Sequence, residues 1–245
     1  MSAELPAVPD VAKHVVRDIG VVIVAAGAGT RVGGGSGELK QFRWVAGKPM
    51  LLHSVQLFQQ RDDVAMVVCV LPKQVAGDPP PWLFQSDTER LLVAPGGATR
   101  AESVRNGLED LPGTCRYVLI HDAARPLATA ATVERVVAKM RTGRGVVPAL
   151  PVVDTLKTAG DDGLISATVT RAGLWRAQTP QGFPRDMIIQ AHEHAVATGQ
   201  DGTDDASLCE ALGLEVVIVR GAERAMKVTE ESDLALLDAW QGVDE

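Results

Sequence analysis

The sequence has little that would tie it to a membrane, a nucleic acid or a disulfide framework. Nowhere do apolar residues run for the ~20 positions that a membrane-spanning helix needs. The opening segment Met1–Asp10 is acidic and carries proline, without the basic and apolar regions of a secretory leader. Lysine and arginine number 24 against 31 aspartates and glutamates, a net charge of −7, so no broad basic face is expected to hold nucleic acid or anionic lipid. Any anionic ligand must therefore be caught by a local cluster of cations. Cys69, Cys115 and Cys209 stand singly, outside the close pairs used by zinc sites or disulfide sets, and are expected to be reduced and buried. His192 and His194 are two apart on a helical stretch, so they do not share a face as a zinc pair would; both are read as surface residues. His53 reads as a structural histidine, and no Ser/His/Asp constellation stands out. These absences point to a cytoplasmic protein with neither nucleic acid nor membrane as partner.

What is present is alternation. At 245 residues the chain has room for one good core and an appendage, not for two full catalytic domains. Valine- and isoleucine-rich runs at Ile19–Ala25, Val64–Leu71, Arg90–Ala94, Tyr117–His121, Gly145–Val147 and Glu215–Val219 read as strands. Between them, Met50–Gln59, Thr99–Leu108, Thr129–Arg141, Pro184–Thr198 and Asp204–Leu212 read as helices, with a closing helix at Glu230–Trp240. Thr99 with Glu102 makes a capping box, while Thr203 and Thr229 precede helical runs. Such a pattern predicts an α/β fold, a mostly parallel sheet covered by helices. The triple proline within Gly77–Trp82 predicts an irregular loop. Residues 151–171 break the pattern: Val152–Lys157 and Leu164–Val169 read as a β-hairpin turning at Gly160–Gly163. A lone hairpin is marginal in water, so this arm is expected to pack on a second copy of the chain. The division expected is a single domain, with a core of about 19–150 and 172–240, an arm of about 151–171 and a peripheral segment 1–17.

The first predicted strand runs into Ala25-Ala26-Gly27-Ala28-Gly29-Thr30-Arg31, a turn of small residues that lets backbone amides approach an anion. It is not a dinucleotide fingerprint, because Val32 occupies a position that needs a small residue and no acid follows about 20 positions on. It is not a P-loop, for no Gly-Lys-Ser/Thr follows. A second cation, Lys40, lies beyond the glycine-rich stretch Gly33–Gly37. Two cations flanking one flexible loop suit a polyphosphate whose charge grows at the reacting phosphorus. Asp122 falls just past the predicted strand Tyr117–His121, where open parallel sheets place their ligand crevice.

The loop Ala25-Ala26-Gly27 to Arg31 with Lys40-Gln41 resembles the nucleotide loop of the 2-C-methyl-D-erythritol 4-phosphate cytidylyltransferase family. Further blocks follow in that family's order over about residues 19–240. They are Gly96-Gly97 with Arg100 and Ser103-Val104, His121-Asp122-Ala123-Ala124-Arg125-Pro126, Asp154-Thr155-Leu156-Lys157, Arg171–Trp175, Thr179-Pro180-Gln181, Thr203–Ala206 and Lys227-Val228-Thr229. The resemblance implies a Rossmann-like nucleotidyltransferase domain with a protruding arm. It implies CTP and a polyol phosphate as substrates, Mg2+ as the divalent cation, and a homodimer whose arms reach into each other's sites. Arg31, Lys40, Arg171 and Lys227 are thereby implied as catalytic cations. Ala25, Ala26, Gly27, Gly97, Ser103, Asp122 and Ala123 are implied as nucleotide ligands; Asp122, Arg125, Thr155, Arg171 and Lys227 as substrate ligands; and Asp122 as the residue beside the metal. Ala98 departs from the pattern, since many relatives carry an acid after the paired glycines. Two alternatives stay open: a ribitol 5-phosphate cytidylyltransferase, whose motifs are largely shared, and a catalytically silent nucleotide-binding protein.

Overall fold

The apolar runs assemble into one twisted sheet because most of their side chains are buried on both of its faces. The structure, a computed structural model, describes residues 15–27, 39–85 and 87–240; residues 28–38, with Arg31 and most of the glycine loop, and segment 1–14 lie outside them. In chain order the elements are β1 (Ile19–Val24), β2 (Trp44–Val45), β3 (Lys48–Pro49), α1 (Met50–Gln59), β4 (Val64–Leu71), α2 (Lys73–Ala76), β5 (Leu91–Pro95), α3 (Arg100–Glu109), β6 (Tyr117–Asp122) and α4 (Ala130–Met140). Then come β7 (Gly145–Pro151), β8 (Leu156–Ala159), β9 (Ile165–Val169), β10 (Trp175–Ala177), β11 (Gln181–Pro184), α5 (Arg185–Thr198), α6 (Asp205–Ala211), β12 (Val216–Arg220) and α7 (Glu231–Ala239).

The main sheet runs β5-β4-β1-β6-β11-β7, with β10 and β12 both paired to β7. Strands β5, β4, β1 and β6 are mutually parallel; β11 and β10 run against their neighbours. Successive residues of β1 supply opposite cores, as the two-residue period of a strand requires. Ile19, Val21 and Ile23 pack with Leu51, Val55 and Phe58 of α1 and Val133, Val136 and Met140 of α4. Val22 faces the layer that holds Val104 and Leu108 of α3, Ile188 of α5 and Leu208 of α6. The sheet is thus covered on both sides, which is why its strands read as continuous apolar runs.

Four sequence expectations need correction. Strand β11 is absent from the expected set, since Gln-Gly-Phe-Pro has no alternation; its neighbours impose the conformation. Gly182 fits there because it has no Cβ, which would lie 2.6 Å from Val136 Cγ1 of α4 and force that side chain to shift. The proline-rich loop is more regular than expected, with Pro81–Gln85 forming a 3-10 turn that brings Trp82 edge-on to Phe42, ring centroids 5.4 Å apart. The caps at Thr203 and Thr229 move one residue on. Asp204 accepts from Ser207 N at α6, and Glu230 caps α7 in a reciprocal pair with Asp233. His192 is not a surface residue but 1% exposed, bonded to Asp205; the two-residue spacing correctly separates it from the more exposed His194, yet says nothing of which face is inward.

Candidate active site

β1 is the strand at which the chain reverses its direction of travel across the sheet, with β4 on one side and β6 on the other. Ligands in open α/β sheets bind at the carboxyl ends of strands at such a switch. Here Val24 is in register with Asp122, and Ala123 N donates to Val24 O at 3.1 Å, so the turn Ala25–Gly27 and the acid leave the sheet side by side. They border a cleft of about 460 Å³ whose lining also includes Lys40, Gly97, Ser103, Arg100 and Lys227.

Asp122 is 8% exposed and is paired on both carboxylate oxygens: Arg100 Nε lies 3.2 Å from Oδ1 and Lys227 Nζ 2.8 Å from Oδ2. Burial pushes its carboxyl upward, but the charges of Arg100, Lys227 and Arg125 outweigh burial and hold it well below the usual carboxylate range. It is a fixed negative charge at neutral pH. Its backbone N–H donates to Thr179 Oγ1 at 3.0 Å, and the same hydroxyl meets His121 Nδ1 at 3.1 Å. His121 is fully buried, edge-on to Phe58 at 5.2 Å, and burial lowers its pKa to about 4. It is therefore a neutral structural group behind the acid.

Two lysines reach the cleft from distant parts of the chain. Lys40 lies on the 3-10 turn Lys40–Phe42 and its ammonium donates to Val228 O, next to Lys227 in sequence. The side chain of Lys227 is 45% exposed, a cation tethered to Asp122 at one end of its range and open to the cleft at the other. Arg31 falls in segment 28–38, outside the described residues.

On the opposite wall, Gly96 N donates to Leu71 O at 2.7 Å and the turn then folds into α3. A Cβ on Gly96 would lie 2.2 Å from that of Ala26, so the glycine lets this turn rest directly against the small-residue loop. Ser103 Oγ accepts from Gly97 N at 3.0 Å and donates to Thr99 O at 2.9 Å. At Ala98, Glu102 Oε2 accepts from the backbone N–H at 2.6 Å. The carboxylate of α3 thus steadies the turn.

The remaining expected ligands divide. Arg125 borders a smaller hollow beside the cleft, shared with Asp122, Thr179 and Thr203, and is braced to the carbonyls of Ala225 at 2.7 Å and Ala177 at 3.2 Å. Thr155 and Arg171 are exposed on the arm, where Arg171 donates to Val153 O, and neither borders the cleft. The single chain therefore gathers Lys40, Lys227, Asp122, Ser103 and the two glycine turns, but not the two arm residues.

Arg100 and Asp205 stand in the matched blocks without an expected role, and the structure puts both in the site's charge network: Arg100 Nη1 lies 2.8 Å from Asp205 Oδ2. Only the capping position of Thr99 signals that Arg100 begins a helix beside Gly97; nothing in the sequence pairs it with residues 122 and 205. As for a metal, among the described residues no three acidic, histidine or cysteine side chains gather as a metal cage. Asp122 is the one carboxylate lining the cleft among those residues. That donor set fits a hard cation carried in by phosphate oxygens, with at most one protein carboxylate, as magnesium commonly is.

A switch-point cleft with an amide-rich turn, a buried carboxylate and converging cations defines a nucleotide-handling α/β domain. Comparison with known proteins narrows the class. The family model for 2-C-methyl-D-erythritol 4-phosphate cytidylyltransferase, IspD, matches residues 19–241. A protein of that name from Streptomyces coelicolor is 44% identical over 228 residues, covering 89% of this chain and 83% of the relative. The bifunctional IspD/IspF enzyme of Agrobacterium fabrum is 42% identical over 89% of this chain, which spans only 56% of that longer protein. The crystal structure of the cytidylyltransferase from Thermus thermophilus superposes with a TM-score of 0.76 at 33% identity, over 91% of this chain and 98% of the other. The chain belongs to the IspD family.

Proposed function

We propose that this chain transfers the cytidylyl group of CTP to 2-C-methyl-D-erythritol 4-phosphate, giving 4-diphosphocytidyl-2-C-methyl-D-erythritol and pyrophosphate in the non-mevalonate route to isoprenoid precursors. The observation that carries the reading is the meeting of Lys40, Lys227, Asp122 and the Gly97–Ser103 turn in one cleft at the β1/β6 switch, in a chain whose family match covers nearly all of it.

A phosphate monoester has its second pKa near ~6, so its oxygen is already a nucleophile at neutral pH and needs no general base. The absence of a buried, strongly raised carboxyl among the described residues of the cleft suits this chemistry. The monoester oxygen attacks the α-phosphorus of CTP in line, an O–P bond forms as the bond to the β-phosphate bridging oxygen breaks, and pyrophosphate leaves with the electron pair. Lys40, with Arg31 from the flanking loop, neutralises the triphosphate as charge develops; Lys227 turns from Asp122 toward the phosphates. Magnesium, when bound with the triphosphate, supplies further neutralisation of the phosphate oxygens. Ala25, Ala26 and Gly27 present backbone to the phosphates, the Gly97–Ser103 turn presents backbone and a hydroxyl to the cytosine edge, and Asp122 and Ala123 border the ribose. Arg125 lies where the polyol phosphate would approach. Thr155 and Arg171 complete that subsite from a second subunit in an arm-exchanged homodimer, working in the cytoplasm.

Pyrophosphate release tests this, with CTP supplied beside 2-C-methyl-D-erythritol 4-phosphate or ribitol 5-phosphate, and with and without magnesium. The expected result is magnesium-dependent turnover with the methylerythritol phosphate; turnover with ribitol phosphate alone moves the chain to the alternative, and CTP binding without turnover to the silent reading.

A further inference from the structure

The carboxylate of Asp205 is buried far more completely than that of Asp122, 1% against 12% side-chain exposure, although it does not line the cleft. It is the first residue of α6 and spends its two oxygens on different partners. Oδ1 receives His192 Nε2 of α5 at 3.1 Å, and Oδ2 lies 2.8 Å from Arg100 Nη1. Arg100 presents its other edge, Nε, to Asp122 at 3.2 Å, and Asp122 in turn holds Lys227 at 2.8 Å. Charges alternate in sign from the interior to the cleft: Asp205, Arg100, Asp122, Lys227. The start of α6 is itself pinned, since Gln181 Nε2 donates to Asp204 Oδ2 at 2.6 Å and its Oε1 accepts from Ala206 N at 3.0 Å.

Resting on the functional reading above, we infer that Asp205, steadied by His192, is a positioning residue that clamps Arg100 onto Asp122 and so keeps Asp122 fixed while Lys227 changes partner from carboxylate to phosphate. When Lys227 turns away, Asp122 would be a buried carboxylate stripped of one counter-ion, a costly state unless another cation stays in place. Arg125 adds its charge but no direct ion pair, because its guanidinium hydrogen-bonds to the carbonyls of Ala225 and Ala177 rather than to Asp122. Arg100 can stay only if it is not itself drawn to the triphosphate, and it lines the cleft within reach of such an anion. Two carboxylates on opposite edges of its planar guanidinium hold it in place. Without Asp205 the arginine is freed on one edge, and a phosphate becomes its better partner. Nucleotide binding then survives or tightens, but Asp122 loses its fixed position and turnover falls.

The consequence is a split between binding and rate that loss of packing would not produce. Asp205→Asn is expected to lower kcat about 10- to 100-fold, by analogy with loss of the partner that orients a metal ligand, while the affinity for CTP with magnesium, read by titration calorimetry, is unchanged or tighter. His192→Leu should lower kcat several-fold by leaving one oxygen of Asp205 unpaired. His192→Gln, whose amide nitrogen reaches as Nε2 does, should restore it to within about twofold. An Asp205→Asn protein that folds and keeps wild-type kcat overturns the inference, and so does one whose CTP affinity falls in step with kcat. If Asp205→Asn does not fold, the His192 pair decides, and equal loss in the leucine and glutamine variants overturns it. Failure of the functional reading looks different: the wild type binds CTP but releases no pyrophosphate with methylerythritol phosphate. The CTP-binding arm then still tests the clamp, weakened affinity in Asp205→Asn counting against it.

Discussion

The crevice at the ends of β1 and β6 and the hairpin arm of β8 and β9 are built on opposite principles. The crevice hangs on buried strands, and each of its groups is held by another: Asp122 by Arg100 and Lys227, Ser103 by Gly97 and Thr99, His121 by Thr179. The arm pairs only with itself among the described residues, from Leu156 opposite Val169 to Ala159 opposite Ile165, and it leaves Val153, Leu164 and Ile165 64%, 71% and 65% exposed. The crevice is organised by one chain's own contacts. An arm with exposed apolar residues and an arginine turned to its own backbone suits the proposed homodimer, in which a second copy would cover it.

The comparison breaks first at the lysines. Lys40→Ala or Lys227→Ala is expected to lower turnover about 10²- to 10³-fold at saturating substrate, as loss of a preorganised charge does; the melting temperature should fall more for Lys227→Ala, which strips the buried Asp122 of one counter-ion, and turnover near wild type in either folded variant contradicts the assignment. The arm offers the next test. Arg171→Ala should be strongly impaired, and an equimolar mixture with Lys227→Ala, after subunit exchange, should recover about a quarter of wild-type activity, because half of the dimers are mixed and each carries one intact site. Recovery of nothing would mean that Arg171 serves its own chain's site, and full activity of Arg171→Ala alone that it serves none.

A smaller effect separates the buried side of the crevice from the solvent. His121 has its pKa lowered to about 4 from 6.5, so between these values the unfolded chain holds a proton that the folded chain does not. Its contribution is fully present above pH 6.5 and is lost as pH falls toward 4, amounting to about 3 kcal/mol. Urea unfolding of the wild type and of His121→Gln should show the variant lacking about one proton's worth of slope in that window; identical slopes would refute the assignment of a neutral buried ring. The smallest effect belongs to the arm's surface, where Thr158 and Ser166 hydroxyls meet at 2.9 Å in solvent. Ser166→Ala should shift stability by no more than about 0.5 kcal/mol.

The same contrast explains what is legible in the sequence. Val64–Leu71 and Met50–Gln59 match their expected bounds to the residue, because a doubly covered strand and a helix between breakers announce themselves locally. Asp122 is legible from its place at a strand's carboxyl end, and Lys40 from its spacing past a glycine-rich stretch. The contacts of Arg100, Asp205 and His192 are not, since they lie in pairs 22, 13 and 105 positions apart: Arg100 with Asp122, His192 with Asp205 and Arg100 with Asp205. No local pattern encodes such contacts. The arm's first strand begins at Leu156 rather than Val152, because Val152 N is still bonded to Leu174 O at the arm's root.

The most direct measurement of the central claim is a crystal structure of the chain with CTP and magnesium. The triphosphate should lie within ion-pair distance of both Lys40 and Lys227, with cytosine against the Gly97–Ser103 turn and Asp122 still held by Arg100. Nucleotide density at any other surface, with the two lysines pointing away from the phosphates, would contradict it.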